Sequence, residues 1–333
     1  MSAARGRRSP EAGRAARLDL RGVRTYALAS RASKVAIADF ARPHRPGASM
    51  VEWLDSLPGI LAGSTLRALV RDVERARVRQ KPILWGIGAH VIKTGLSPIL
   101  IDLMERGLIT GLAMNGAGVV HDFEIAVAGR TSEEVADTLG AGAFGMARET
   151  GEEINRAITR GVARGLGIGG AVGSYLVRRR PPHVELSLLA AAWRLGLPAT
   201  VHVAIGTDIV HMHPACDPAA VGRGSHLDFR AFAAQVARLG GGGVYLNVGS
   251  AVVLPEVFLK AVTLARNLKH TLDDFATANL DFIQSYRPNV NVVERPTRGT
   301  GRGYRLTGHH ELLVPLLAAA LVEGLQSPRG RAR

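Results

Sequence analysis

Short apolar runs ending in glycine-rich polar turns recur along this chain, separated by stretches with helical spacing. Ile83 to Ile87 and Gly111 to Met114 are two such runs. The first ends in Gly88-Ala-His-Val-Ile-Lys-Thr-Gly95, the second in Asn115-Gly-Ala-Gly-Val-Val-His-Asp122, and the helical pattern Ser97 to Arg106 lies between them. A strand, a crossover helix and a second strand predict parallel pairing. The device repeats at Ala199 to Ile205, ending in Gly206-Thr-Asp208, and at Val244-Tyr-Leu-Asn247, ending in Val248-Gly-Ser250. Phe275 to Phe282 and Val290 to Val293 are later predicted strands. Helices are predicted over Leu186 to Leu195, Leu227 to Leu239, Pro255 to Leu268 and Glu311 to Leu325, and Met50 to Arg79 reads as two helices broken at Gly63-Ser-Thr. Between the two halves, Thr131-Ser-Glu-Glu fits a capping box at a helix start, Gly140 to Gly145 is a turn, and a helix begins near Arg148. This alternation predicts an α/β fold: a doubly wound, mainly parallel sheet with flanking helices, Rossmann-like.

The organisation expected is a disordered basic tail over residues 1–22, one α/β domain over 23–326 with a helical part at 50–80, and a second basic tail over 327–333. Ala41-Arg-Pro-His-Arg-Pro-Gly-Ala48 reads as a linker. The formal net charge is +14, yet residues 1–24 hold seven arginines against Glu11 and Asp19, and Arg329, Arg331 and Arg333 stand at the other end, so eight of those charges are in the tails. With no stacking aromatics and no nucleic-acid motif, a specific nucleic-acid partner is not expected. No run of eighteen uncharged apolar residues and no apolar segment behind the arginine-rich start is present, so neither a membrane span nor a secretory leader is expected, and the chain reads as cytoplasmic. Cys216 is the single cysteine, which excludes an internal disulfide and a CxxC pair.

Four strand ends bring polar residues to one edge of such a sheet: Gly88, Ala89 and His90 with Thr94; Asn115, Gly116 and Ala117, with His121 and Asp122 beyond; Thr207 and Asp208; and Asn247 with Gly249 and Ser250. Ligands of open parallel sheets bind outside the carboxyl ends of the strands, where small residues let phosphate or ribose approach the backbone. A nucleotide-type ligand is therefore expected, alongside the alternative that the glycines serve tight turns only. His202, His211 and His213 with Asp208 carry metal-ligand chemistry, but their spacing matches no helical zinc motif, and no metal is assigned. His309-His310 precedes the last helix and stays open between ligand contact and packing. Arg295 to Arg305 reads as a flexible basic loop.

From Lys81 to Leu325 the order of these motifs resembles deoxyhypusine synthase. Gly88-Ala-His-Val-Ile-Lys-Thr-Gly95 resembles that family's Thr-Ser-Asn-Leu-x-Ser-x-Gly turn, Asn115 to Asp122 its Thr-x-Gly-Gly-x-Glu-Glu-Asp turn, and Gly206 to His213 its Gly-Asp-x-x-x-x-His segment, with Asp208 in the place of an NAD-contacting aspartate. The resemblance implies a homotetramer with ligand sites at subunit contacts, NAD as cofactor and a polyamine such as spermidine as substrate. The departures are specific. Asn247-Val-Gly249 followed by Ser-Ala-Val-Val-Leu254 replaces Gly-Gly-Gly and Lys-His-His; the Trp-Gly-Lys that carries the family's Schiff-base lysine is missing, and no lysine follows Lys269. A covalent imine requires a desolvated lysine amine.

The expected function is thus an NAD-dependent transferase of the deoxyhypusine synthase type acting on a small amine or related metabolite, without the covalent lysine. Its expected catalytic residues are His121 and Asp208, with Lys93 third for a covalent role. The expected cofactor contacts are Gly88, Ala89, His90, Thr94, Asn115, Gly116, Ala117, Asp208, Asn247 and Gly249. The alternatives are a noncatalytic nucleotide-binding or assembly protein, and a metal-dependent hydrolase built on His202, Asp208, His211 and His213.

Overall fold

A computed structural model describes residues 17–326 of the chain. The outer parts of both predicted basic tails, residues 1–16 and 327–333, lie outside the described residues. The chain divides into two units, Met1–Asp39 and Phe40–Arg333. In the first, the described residues are exposed apart from half-buried Asp39 and hold two short 3-10 turns, Leu28–Ser30 and Ile37–Asp39.

The second unit holds a six-stranded parallel sheet: β1 (Ile83–Ile87), β2 (Gly111–Asn115), β3 (Ala199–His202), β4 (Val244–Val248), β5 (Ala276–Asp281) and β6 (Arg302–Thr307), in the spatial order β3-β2-β1-β4-β5-β6. Trp85 sits opposite Leu112 on one side and Leu246 on the other. The strands of the interior are buried on both faces, which is why they read as continuous apolar runs rather than as alternation.

Successive residues of a strand supply opposite faces. Ile83, Trp85, Ile87, Leu112, Met114, Leu246 and Val248 enter one core, together with α1 (Met50–Ser56), α2 (Leu61–Val78), α3 (His90–Lys93), α4 (Ser97–Glu105), α5 (Gly116–Ala128), α7 (Arg148–Ala163), α8 (Ile168–Arg179), α9 (Leu188–Arg194) and α13 (His310–Gln326). α6 (Val135–Leu139) is a short exposed turn of helix. Leu84, Ala113 and Tyr245 enter the other core, with α10 (Pro218–Val236), α11 (Val253–Asn267) and the segment after the short α12 (Tyr286–Pro288). There Tyr245 stacks on Phe258 with ring centroids 3.9 Å apart, and its hydroxyl lies against Gly86, leaving no space for a Cβ at that position.

Three local expectations are corrected. Val290 to Val293, predicted as a strand, lies within a π-helix, Asn289–Glu294, that covers β5 and β6: Val292 and Val293 pack into the second core, and the Val292 carbonyl accepts the Thr277 hydroxyl at 2.8 Å. The basic loop Arg295 to Arg305 ends as the edge strand β6, anchored by Arg302, which reaches buried Asp72 of α2 and Asp274 at 2.8 Å each. Arg305 likewise reaches Asn289 and Glu294, so these side chains are spent within the fold. The helix placed at Thr131 begins at Val135, because the Thr131 hydroxyl is held by His121 and Glu124 instead of capping.

Candidate functional site

The strand order reverses between β1 and β4, so the connections after these two strands leave in opposite directions and open a crevice at the carboxyl edge. The two turns that bound it touch each other. The Gly88 N–H donates to the Val248 carbonyl at 2.8 Å, and a Cβ at Gly88 would lie 2.0 Å from the Gly249 carbonyl oxygen. Gly249 has φ +71°, and a Cβ there would lie 2.7 Å from Cε1 of His310. Both positions require glycine, the first by close approach and the second by backbone conformation as well.

His310 opens α13 and is 1% exposed. Its Nε2 lies 3.3 Å from the Leu280 carbonyl and 3.6 Å from Oδ1 of Asp281, the last residue of β5. The ring meets His90 edge-on at 5.5 Å and Phe282 at 6.4 Å. Nδ1 of His310 is buried with no partner. Burial holds the imidazole below its ordinary pKa against the opposing pull of Asp281.

Asn247 and Asn279 sit opposite one another on β4 and β5. Asn247 Nδ2 donates to Asn279 Oδ1 at 2.8 Å and to the Ser250 carbonyl at 2.9 Å, and Asn279 passes the chain on to Gln284 at 2.9 Å. Asn247 Oδ1 is buried and unpartnered. This ladder fixes the ends of β4 and β5 and leaves an acceptor for an incoming donor.

At the end of β2, Asn115 caps α5 by accepting the Gly118 N–H at 3.0 Å. Asp208 reaches the same helix start from the loop after β3. It accepts the Ala117 N–H, and a Cβ at Gly116 would lie 1.9 Å from its Oδ2, so Gly116 is what lets the carboxylate in. Burial pushes Asp208 up, while His211 and the Ala117 N–H pull it down. His211 closes that loop, with Nδ1 accepting the N–H groups of Gly206 at 3.1 Å and Asp208 at 3.3 Å.

His121 stands on the second turn of α5. Its Nδ1 is 2.7 Å from the Thr131 hydroxyl, which donates to Glu124; Glu124 also accepts from Thr150 at 2.9 Å. Burial lowers the His121 imidazole, with Glu124 opposing. Lys93, exposed at the end of α3, acts on it as a like charge.

The fold therefore gathers Gly88, Ala89 and His90 with Gly249 and His310 at the crevice, and puts Asn115, Gly116, Ala117 and Asp208 one strand away. Asn247 lies beneath, on the α11 face of the sheet. The Thr94 hydroxyl is turned back on the carbonyls of His90 and Val91. Asp122 leaves the edge altogether: it is buried and caps α9, accepting from Ser187 Oγ and the Leu188 N–H, both at 2.6 Å.

The metal-hydrolase alternative is corrected. Among the described residues no group of three or more potential ligands comes together. His202 is buried against Phe232 with Nε2 3.0 Å from Thr200 Oγ1, and the His213 ring lies on Gly151 of α7. Burial drops the His202 pKa to about 4. A neutral buried ring contributes its stability above the unfolded-state value near 6.5 and loses it as pH falls toward 4. We expect His202→Gln to flatten the acid side of the stability–pH curve by roughly 3 kcal/mol across that window, as read by denaturant melts at stepped pH; an unchanged slope would show that the ring is not held neutral.

Asp281 was not among the expected site residues and His310 was left open between ligand contact and packing, although each carried a signal. Asp281 is the one carboxylate at the end of the Phe275 to Phe282 run, and His310 starts the last helix. A cavity of about 310 Å³ lies elsewhere, between α7 and α8, lined by Ala157, Arg160, Tyr175, Arg178 and Arg179. Most of its lining is solvated cation, whereas the conserved logic of an open sheet places chemistry at the strand ends.

No family model and no curated protein matches the sequence. Among solved structures, AgrE in ternary complex with ornithine and NAD+ aligns over 78% of this chain at 14% identity and a TM-score of 0.52. A LOR/SDH protein from Methanococcus maripaludis S2 aligns over 80% of this chain and 71% of its own at 14% identity, TM-score 0.50. A protein described as a deoxyhypusine synthase from Entamoeba histolytica aligns over 83% of this chain at 9% identity, TM-score 0.46. This chain spans a third of the length of AgrE. The likeness to AgrE and to the Methanococcus maripaludis protein shows the shared α/β, Rossmann-like fold. No helix among the described residues is long and apolar enough to cross a membrane.

Proposed function

We propose that this chain binds NAD across the carboxyl edge at the β1/β4 crevice and acts with it on a small amine-bearing metabolite. The observation that carries the reading is the reversal of strand order at β1 and β4, where Gly88 and Gly249 meet backbone to backbone. Dinucleotides lie across such a reversal, with pyrophosphate at the turn after the first strand and an acidic residue near the second reading a ribose hydroxyl. The residues present fit that division. Gly88, Ala89 and His90 would face the pyrophosphate, Asp208 and Asn115 the ribose, and Gly249 the far half of the dinucleotide, while buried Asn247 holds the end of β4 beneath it. The start of α5 already holds the carboxylate of Asp208, so Asp208 suits a hydroxyl donor there and would repel phosphate.

NAD, when bound, supplies a two-electron oxidant. The chain itself supplies the cradle, the ribose contact and proton acceptors at His310 and, set back on α5, His121. The AgrE complex pairs NAD+ with ornithine, a small amine, which supports that substrate class; spermidine remains within it. With no lysine after Lys269, the amine is bound without a covalent link to that part of the chain. A cytoplasmic homotetramer belongs to the same reading. The missing lysine also favours a second reading, a noncatalytic NAD sensor.

Calorimetric titration of the purified protein with NAD+ tests the first step. We expect saturable binding, weakened at least about tenfold, or ~1.4 kcal/mol, in Asp208→Ala; absence of binding in the unmodified protein would overturn the proposal. NAD reduction followed by absorbance with ornithine, putrescine and spermidine then separates enzyme from sensor.

A further inference from the structure

We propose that His310, faced by Asp281, is a proton acceptor at the β1/β4 crevice, with its lone pair on Nδ1 aimed at the ammonium group of a small substrate. The inference rests on the reading of this edge as the ligand site.

The tautomer follows from hydrogen-bond chemistry. A carbonyl oxygen only accepts, and Nε2 of His310 points at the Leu280 carbonyl, 3.3 Å away, so Nε2 carries the proton. Nδ1 is then a bare acceptor, and it is buried without a donor. An unpaired buried acceptor costs stability, on the order of 1–3 kcal/mol. A histidine serving packing alone would be replaced at no loss by an apolar residue. Asp281, 6% exposed, lies 3.6 Å from Nε2, on the side where it stabilises the imidazolium formed when Nδ1 takes a proton. The Leu280 carbonyl orients the ring, and the carboxylate stabilises its charged form through space.

Three neighbours border the ring. Gly249 lies against the Cε1 edge of the ring and cannot bear a side chain there. Phe282 flanks the ring and itself stacks on His309, with centroids 6.2 Å apart. His90, on the four-residue α3, is exposed, as is Phe282. In the proposal, substrate reaches the ring past these two surface side chains. The titratable groups facing His310 are Asp281 from β5, His90 from α3, and Glu311 from its own helix, the last 3.8 Å from His309.

The step conserves atoms. One N–H bond of the substrate ammonium breaks and one forms at Nδ1; the nitrogen keeps the electron pair and becomes a neutral amine, and the imidazolium rests beside Asp281. A neutral amine is the form that can be oxidised at its α-carbon.

The test is a pH titration of the histidine rings by ¹H–¹⁵N NMR on ligand-free, full-length protein, with His310→Gln for assignment. We expect His310 as the neutral Nε2–H tautomer at pH 7. Its titration midpoint should move down in Asp281→Asn, which removes the carboxylate, and up in His90→Ala, which exposes the ring and removes a like charge. An Nδ1–H tautomer, or a midpoint indifferent to both changes, would overturn the assignment. If Asp281→Asn fails to fold, the surface change at His90 decides the matter alone. NAD+ calorimetry on the unmodified protein keeps the two claims apart: NAD binding with an indifferent His310 removes only the acceptor role, while the expected shifts without NAD binding remove the dinucleotide.

Discussion

Replacing Asp228 by alanine is expected to cost about 3 kcal/mol and to lower the melting temperature by roughly 6 to 12 °C. Asp228 sits on α10, 4% exposed, and its Oδ2 accepts the N–H of Gly169 at 3.0 Å and of Val201 at 2.9 Å, with the Ile168 N–H also directed at the carboxyl. One side chain therefore satisfies the first turn of α8 and the backbone of β3 together. Gly167 has no room for a Cβ, which would lie 1.8 Å from Oδ1. Burial pushes this carboxyl up to about 7, against the three N–H donors. Alanine leaves those donors buried and unpaired, and the penalty for an unmade bond exceeds the worth of a made one. Asparagine keeps an acceptor where Oδ2 sits and should recover about half of the loss. Thermal melts of the two variants check the account; equal melting temperatures for Asp228→Ala and the unmodified protein would contradict it.

Gly249→Ala is the second large effect, and it falls on ligand binding. Alanine at φ +71° costs roughly 1–2 kcal/mol of backbone strain. Its methyl would also lie 2.7 Å from the His310 ring, displacing the imidazole or widening the crevice. We expect NAD affinity to fall by about tenfold or more, or ~1.4 kcal/mol. Gly142→Ala supplies the control: φ is +68° there, but nothing lies within 4 Å. Similar losses of stability with NAD binding affected only at Gly249 would place the effect in the crevice. Unchanged affinity in Gly249→Ala would show that the dinucleotide does not use this turn.

The strands that were most legible in the sequence share one property: their residues face water on neither side. β1, β2 and β4 are buried on both faces, so their apolar runs and terminal glycines stood out. β6 has one buried residue, Leu306, among arginines, glycine and tyrosine, and an edge strand of that composition resembles a loop. The run Val290 to Val293 is too short for periodicity to separate a strand from a turn of buried helix, and packing against β5 and β6 decided it. The strand-end motifs located the edge itself, because glycine at a close backbone contact is visible in any sequence. Side-chain partnerships were not. Asp122 looked like an edge residue but lies inside α5 and caps α9, and His202 looked like a ligand but is packed on Phe232. Asp281 and His310 are brought together across 29 positions by the pairing of β5 with β6 and the start of α13; no local pattern encodes that distance.

The central claim is the place where NAD binds, and backbone amide shifts on titration of the ¹⁵N-labelled protein with NAD+ test it most directly. The expected result is saturable movement of the amides of Gly88, His90, Ala117 and Gly249, with those of Gly243 and Thr110, near the starts of β4 and β2, unmoved. Shifts confined to Arg160, Arg178 and Arg179 at the α7–α8 cavity, or none at the carboxyl edge, would contradict it.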